Sequence, residues 1–266
     1  MNKRIGFIGC GNMGKAMLGA LVKSNTIDID SIMVSTKSKD SADKIREEYG
    51  VSTTLVNSEV AKKSDILFLA VKPYLFEKVI NEIKDSILQE TIIVSIAAGI
   101  TIDNIEKWFG KSIKVVRTMP NTPCLVGEGM SAVCPNGKIS EEELKEVCYL
   151  YNLFGKYELL EEKDFHAFIA LCGSSPAYMF VFIEAMADAA VKLGIPRAKA
   201  YKMAEQSMLG SAKLALETGK HPGVLKDEVC SPGGTTIEAV LDLEKNGFRN
   251  TVASAIEKCA GKSKSM

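Results

Sequence analysis

Two glycine-centred turns in this sequence have residue types suited to holding an anion. The first is Gly9-Cys10-Gly11-Asn12-Met13-Gly14, and the second is Ser231-Pro232-Gly233-Gly234-Thr235-Thr236. The first follows the apolar stretch KRIGFIG and opens the helical pattern NMGKAMLGALVKS. In that setting Gly9 permits a tight turn and Gly11 lets the backbone approach a pyrophosphate. Gly14 lets the helix sit close on the strand, and the helix start favours negative charge. In the second turn, backbone N–H groups and hydroxyls stand before IEAVLDLE, an arrangement that binds a carboxylate. A simpler use is also open, in which Ser231 or Thr235 caps that helix. A cap needs one hydroxyl, however, and does not need two adjacent glycines.

A dinucleotide next to a small acid implies hydride transfer. Reducing a carbonyl creates an alkoxide and needs a proton donor, commonly His, Lys or Tyr. The chain has two histidines. His166 sits in the packed pattern DFHAFIAL and His221 precedes Pro222 in a connection, so both read as structural. Lys72, at the end of the strand pattern LAVKP, is either an acid or a charge near the phosphates, and its place favours the second. An imine substrate removes the difficulty, because a protonated C=N takes hydride and ends as a neutral amine. Catalysis is then mainly positioning. At the end of the second strand, VSTKSKD places Ser35, Thr36 and Lys37 where NAD-preferring domains carry an acid. Hydroxyls and a cation suit a 2′-phosphate, which points to NADP.

These residues need a frame. Short apolar runs (KRIGFIG, SIMVS, VSTTL, DILFLAVKP, TIIVSIAAG, IKVVRTMPN) alternate with helical patterns through the first half. Near-continuous apolar strands separated by helices imply a parallel sheet covered on both faces, that is, an α/β doubly wound domain of Rossmann type. SEEELKEVCYLYNLFG is a helix with a capping box, Ser140 and Glu143. KYELLEEKDF adds a strand and a bend. From there on the patterns are helical only, with Gly194, Gly219 and Gly247 at C-caps and Pro176 and Pro196 at helix starts. The expected domains are therefore 1–162, which binds NAD(P), and 163–266, an all-α domain for dimerisation and substrate binding. The helix AYMFVFIEAMADAAV is apolar around most of its circumference and must be buried, most simply against a second copy of the chain.

Lys plus Arg equals Asp plus Glu at 33 each, which argues against a nucleic-acid or membrane-surface binder. The seven cysteines are scattered without a C-x-x-C pair, so a reduced cytoplasmic thiol population is expected and no metal site. The apolar N-terminal run is too short for a signal peptide. No segment reaches ~18 uninterrupted apolar residues, since Glu184 and Asp188 break the nearest one.

Taken together, FIGCGNMG, LAVKP, SIAAG, RTMPNTP, GSSPAY, GIPRAKA and SPGGTTIEAVLDLE resemble pyrroline-5-carboxylate reductase, over residues 4 to 258. The resemblance implies reduction of 1-pyrroline-5-carboxylate to L-proline with NADPH, or with NADH as the lesser donor. It also implies a helical domain that interlocks with a partner subunit, and pentamers of dimers. It assigns the cofactor to Ile8, Gly9, Cys10, Gly11, Asn12, Met13, Gly14, Ser35, Thr36, Lys37, Asn57, Ala70, Val71, Lys72, Pro73, Ala97, Ala98 and Gly99. It assigns the substrate to Ser231, Gly233, Gly234, Thr235, Thr236, Met119 and Asn121, with Thr236 bonding the ring nitrogen as the catalytic group. The loop is expected to work with the neighbour's nicotinamide. Two departures stand in the loop: Cys230 replaces a small hydroxyl or alanine-like residue, and Thr235 replaces a common alanine. A β-hydroxyacid dehydrogenase would instead need a catalytic lysine in its second domain, and Lys192 in AAVKLGIPRAKA fits a surface helix end better. A nucleotide sensor would have no reason to keep the second turn.

Overall fold

The computed structural model describes residues 3–265. These form two compact units, Ser174–Cys259 and the rest of the chain on either side of it. The change in composition at 162 comes before that division. The short helix α7 (Phe165–Phe168) and a π-helical turn, Ile169–Gly173, belong to the first unit, where Phe165 and Phe168 are buried in its core.

The first unit is built on eight strands: β1 (Ile5–Ile8), β2 (Ile32–Ser35), β3 (Ser52–Thr54), β4 (Ile66–Leu69), β5 (Ile92–Ser95), β6 (Lys114–Met119), β7 (Gly129–Pro135) and β8 (Gly155–Leu159). Their order across the sheet is β3-β2-β1-β4-β5-β6-β7-β8. All neighbours are parallel except β6 and β7, where Met119 pairs with Ala132 in antiparallel register. The expected doubly wound parallel sheet is present, and β7 adds one antiparallel neighbour to it. A 3-10 segment, Thr122–Val126, turns the chain back alongside β6 without a crossover helix. The inner strands are buried along their whole length, as β1 and β4 show, because helices cover both faces.

One face carries α1 (Asn12–Lys23), α2 (Lys39–Tyr49) and α6 (Glu141–Asn152), and the other carries α3 (Asn57–Lys63), α4 (Phe76–Ile83) and α5 (Ile102–Phe109). The first face centres on Phe7 stacked on Phe68, with ring centroids 4.7 Å apart. Tyr151 and Phe154 from α6 and the residues following it extend that aromatic column. The capping box of α6 is present, with Glu143 N donating to Ser140 Oγ at 3.2 Å and Ser140 N to Glu143 Oε2 at 2.9 Å.

The second unit is helical: α8 (Ser175–Lys192), α9 (Arg197–Thr218), α10 (Pro222–Val229), α11 (Thr235–Lys245) and most of α12 (Phe248–Lys264). Its apolar side chains are largely uncovered. Phe180 and Val181 are each 65% exposed. The run from 162 to 192 is long and apolar enough to cross a membrane by length and composition alone. However, α8 also carries Glu184 and Asp188, and Asp188 pairs with Arg197.

Candidate active site

The parallel strands β1, β2, β4, β5 and β6 all present their carboxyl ends to one edge of the sheet. Ligands of doubly wound folds bind at that edge, at the point where strand order reverses, here between β1 and β4. The sequence-expected cofactor residues gather there. Ile8 ends β1, Ser35 ends β2, Ala70 to Pro73 follow β4, and Ala97 to Gly99 follow β5. Backbone hydrogen bonds draw these ends together, from Gly9 N to the Ser35 carbonyl at 3.0 Å and from Ala70 N to the Ile8 carbonyl at 2.9 Å.

The fingerprint glycines serve three different ends. Gly9 has a left-handed φ of +79°, and a Cβ there would lie 2.6 Å from Val71 Cγ1 and 2.9 Å from the Ala70 carbonyl oxygen. Gly14 packs against β4's exit, its virtual Cβ 3.4 Å from Ala70 Cβ. Gly11 has an ordinary φ of −76°, and nothing lies within 4 Å of its virtual Cβ. It is the N-cap of α1, and no side chain caps that helix. Neither backbone conformation nor protein packing calls for glycine at this position, whereas a closely approaching phosphate does. The cradle therefore fits a dinucleotide. Cys10 contributes packing rather than reactivity, because burial pushes its thiol up to about 12. Asn12 is exposed at the helix start, and Met13 Sδ lies 3.5 Å from Cys124.

Other assigned side chains are occupied within the protein. Ser35 is fully buried, and its hydroxyl donates to Asn57 Oδ1 at 2.8 Å. Asn57 Nδ2 donates in turn to Glu82 Oε2 at 2.7 Å. The Ser35 hydroxyl expected beside a 2′-phosphate thus faces inward, and the exposed Lys37 is the group left facing solvent. Thr36 is turned back on its own loop, its hydroxyl donating to the Ser38 carbonyl at 2.9 Å. Lys72 is exposed just before the 3-10 turn Pro73–Leu75, where it can act as a charge. Asn121, expected to meet substrate, joins two segments of the first unit. Its Nδ2 donates to the Cys172 carbonyl at 2.9 Å, and its Oδ1 accepts from Met130 N at 2.8 Å. Met119 stands half-buried at the end of β6.

The second turn, in the helical unit, repeats the design of the first. Gly234 is the N-cap of α11 in extended conformation (φ −82°, ψ 171°), and no side chain caps the helix. The simpler reading, in which Ser231 or Thr235 provides that cap, is not what the structure has. Gly234 N donates instead to the Ser231 carbonyl at 3.0 Å, closing the turn. Gly233 takes a left-handed φ of +65°, and a Cβ on Gly234 would fall 2.4 Å from Ser231 Oγ. Ser231 and Thr235 are exposed and Thr236 is half-buried. Glycine has no side chain to cap with, so the first N–H groups of α11 remain available to a carboxylate.

Both histidines are structural. His166 Nδ1 lies 2.9 Å from Ser263 Oγ, and His221 caps α10 by accepting from Gly223 N at 3.0 Å. A buried relay behind the sheet edge has no counterpart among the sequence motifs. There the Thr118 hydroxyl donates to the Ser95 carbonyl at 2.8 Å and meets the Tyr151 hydroxyl of α6. Such a relay joins residues through space and leaves no periodic signal.

A family model described as pyrroline-5-carboxylate reductase dimerisation matches residues 162–266, and one described as NADP oxidoreductase, coenzyme F420-dependent, matches residues 4–99. The chain is 50% identical over 266 residues to a pyrroline-5-carboxylate reductase of Escherichia coli (strain K12), covering 100% of this chain and 99% of that protein. Among solved structures it is similar to a pyrroline-5-carboxylate reductase from Coxiella burnetii (TM-score 0.94, 35% identity, 100% and 98% of the two chains). It is also similar to a Plasmodium falciparum pyrroline carboxylate reductase with NADP bound (TM-score 0.88, 34% identity, 99% and 98%). The chain therefore belongs to the pyrroline-5-carboxylate reductase family, NAD(P)H-dependent oxidoreductases that reduce the C=N bond of 1-pyrroline-5-carboxylate to give L-proline.

Proposed function

We propose that the two glycine turns divide the work of this reduction. The turn at Gly9 to Gly14, with the strand ends around it, holds the dinucleotide, and the turn at Ser231 to Thr236 holds the substrate carboxylate. The observation that carries the reading is that α1 and α11 both begin on glycine in extended conformation without a side-chain cap. When bound, the nicotinamide supplies the hydride. The protein's part is to orient the cyclic imine, with the backbone N–H groups of Gly233 and Thr235 gripping the carboxylate while that of Gly234 closes the turn on the Ser231 carbonyl. The Thr236 hydroxyl, free of hydrogen bonds among the described residues, meets the ring nitrogen. Positioning of this kind needs no strong general acid, in keeping with two structurally engaged histidines.

Lys37 at the end of β2 favours NADPH over NADH. A functional division at 162 is supported by the match of the dimerisation model from that residue on. The exposed Phe180 and Val181 pair with a second copy of the helical unit, and the substrate turn of one subunit serves the cofactor held by its partner. Dimers assemble further into pentamers of dimers. Seven free cysteines suit the reducing cytoplasm. Steady-state kinetics with both cofactors on pyrroline-5-carboxylate test the assignment. NADPH should give the higher kcat/KM, and silence on the cyclic imine with turnover of β-hydroxyacids would refute it. Sedimentation tests the assembly, and a monomer at micromolar concentration would refute it.

A further inference from the structure

The corner where β2 ends carries a relay that the glycine fingerprint does not require. A serine hydroxyl has one proton, and that of Ser35 goes to Asn57 Oδ1 at 2.8 Å, leaving the Phe7 carbonyl a long 3.5 Å away. An asparagine amide next to a hydroxyl can lie either way round, because the hydroxyl both donates and accepts. Glu82 removes that freedom. Its carboxylate only accepts, so the flipped amide would set Asn57 Oδ1 against a negative oxygen, whereas the observed one donates to it at 2.7 Å. The direction of the whole chain, from Ser35 to Asn57 to Glu82, is thus set by a residue on α4. Its effect reaches the cofactor edge, because the Ser35 carbonyl accepts from Gly9 N. A second tie holds the same corner. Thr36 N donates to the Thr54 carbonyl at 3.1 Å, and Thr54 Oγ1 donates to Glu59 Oε2 at 2.6 Å.

We propose that Glu82 is a positioning residue for the adenosine end of the dinucleotide, acting through Asn57 and Ser35 on the turn Ser35-Thr36-Lys37. The proposal rests on the assignment of that turn to the cofactor made above. Glu82 lies on the exposed face of α4, and its role is to orient the relay without touching the ligand.

The test is fluorescence titration of NADPH, with steady-state kinetics, on the full-length variants Glu82→Ala, Glu82→Gln, Asn57→Ala, Lys37→Ala and the Glu82→Ala/Asn57→Ala pair. Glu82→Ala should raise the NADPH Kd and KM about three- to tenfold, with kcat at saturating NADPH within about twofold of the parent. Glu82→Gln can donate as well as accept, so it no longer fixes the amide, and it should raise the NADPH Kd and KM to values between those of the parent and Glu82→Ala, with kcat within about twofold. In the Asn57→Ala background, removing Glu82 should add nothing further. Unchanged or tighter NADPH binding in Glu82→Ala, while Lys37→Ala weakens it, overturns the relay and leaves the cofactor assignment standing. Unchanged binding in Lys37→Ala as well overturns both. An additive double variant, or an equal fall in kcat and Tm with no separate rise in KM, would mark Glu82 as merely structural and overturn the proposal.

Discussion

Replacing Gly11 by alanine separates what the fold needs from what the ligand needs. The residue has φ −76°, open to any amino acid, and its virtual Cβ meets nothing within 4 Å. Two small terms act on the stability of the free protein. Alanine is a poorer N-cap than glycine by roughly 0.5–1 kcal/mol, and it restricts the unfolded chain, which returns about 0.4–1 kcal/mol. They nearly cancel, so the expected net change is within about 0.5 kcal/mol, or about 1–2 °C in Tm for a chain of this size. The added methyl would stand where a pyrophosphate approaches the first turn of α1, and NADPH affinity should fall at least about tenfold, or about 1.4 kcal/mol. The neighbouring Gly9→Ala makes the contrast. Its φ of +79° and a 2.6 Å contact with Val71 Cγ1 force strain on the fold itself. A loss of about 2–4 kcal/mol is expected there, whether ligand is bound or not. The assay is thermal denaturation without ligand, followed by fluorescence titration with NADPH. Gly11→Ala binding NADPH within about twofold of the parent, or melting as low as Gly9→Ala, would refute the reasoning.

Three further outcomes are expected. Thr236→Ala should leave NADPH affinity intact and lower kcat/KM on pyrroline-5-carboxylate by about 10- to 100-fold, read from steady-state kinetics; a collapse of dinucleotide binding instead would misplace that turn. Tyr151→Phe removes the donor to Thr118 in the buried relay and should cost about 1–1.5 kcal/mol by urea denaturation, with little loss of kcat. The Arg4 guanidinium, donating at 2.7 Å and 3.2 Å, holds the Asp65 carboxyl below the usual carboxylate range. Because the folded value is depressed, its contribution is present above the unfolded value of about 3.9 and is lost as pH falls through the folded one. Asp65→Asn should therefore be less stable than the parent by about 1 kcal/mol at neutral pH, and the two should converge on acidification. Parallel urea midpoints across that range check it.

The features legible in the sequence were those with a local signature. The run ILFL of β4 is apolar at every position because both faces of the strand are covered, and Ser140 with Glu143 announces α6 through a fixed spacing. GMSAVCP opens on glycine and closes on proline and so reads as a loop; only its pairing with β6 reveals β7. α10 begins with Pro222-Gly223, which also reads as a turn, and α12 has small and polar residues in place of a clear apolar stripe. The cofactor glycines could be found from their spacing and context. The inward hydrogen bonds of Ser35, Asn57 and Asn121 could not, because each partner lies many positions away and no periodicity links them.

The uncapped starts of α1 and α11 have a consequence for the idle enzyme. Amide protons in those first turns should exchange quickly with solvent when no ligand is present, and slow once an anion takes the place of the missing cap. Each ligand would then serve as a structural piece of the helix it docks on, stiffening that first turn as it binds.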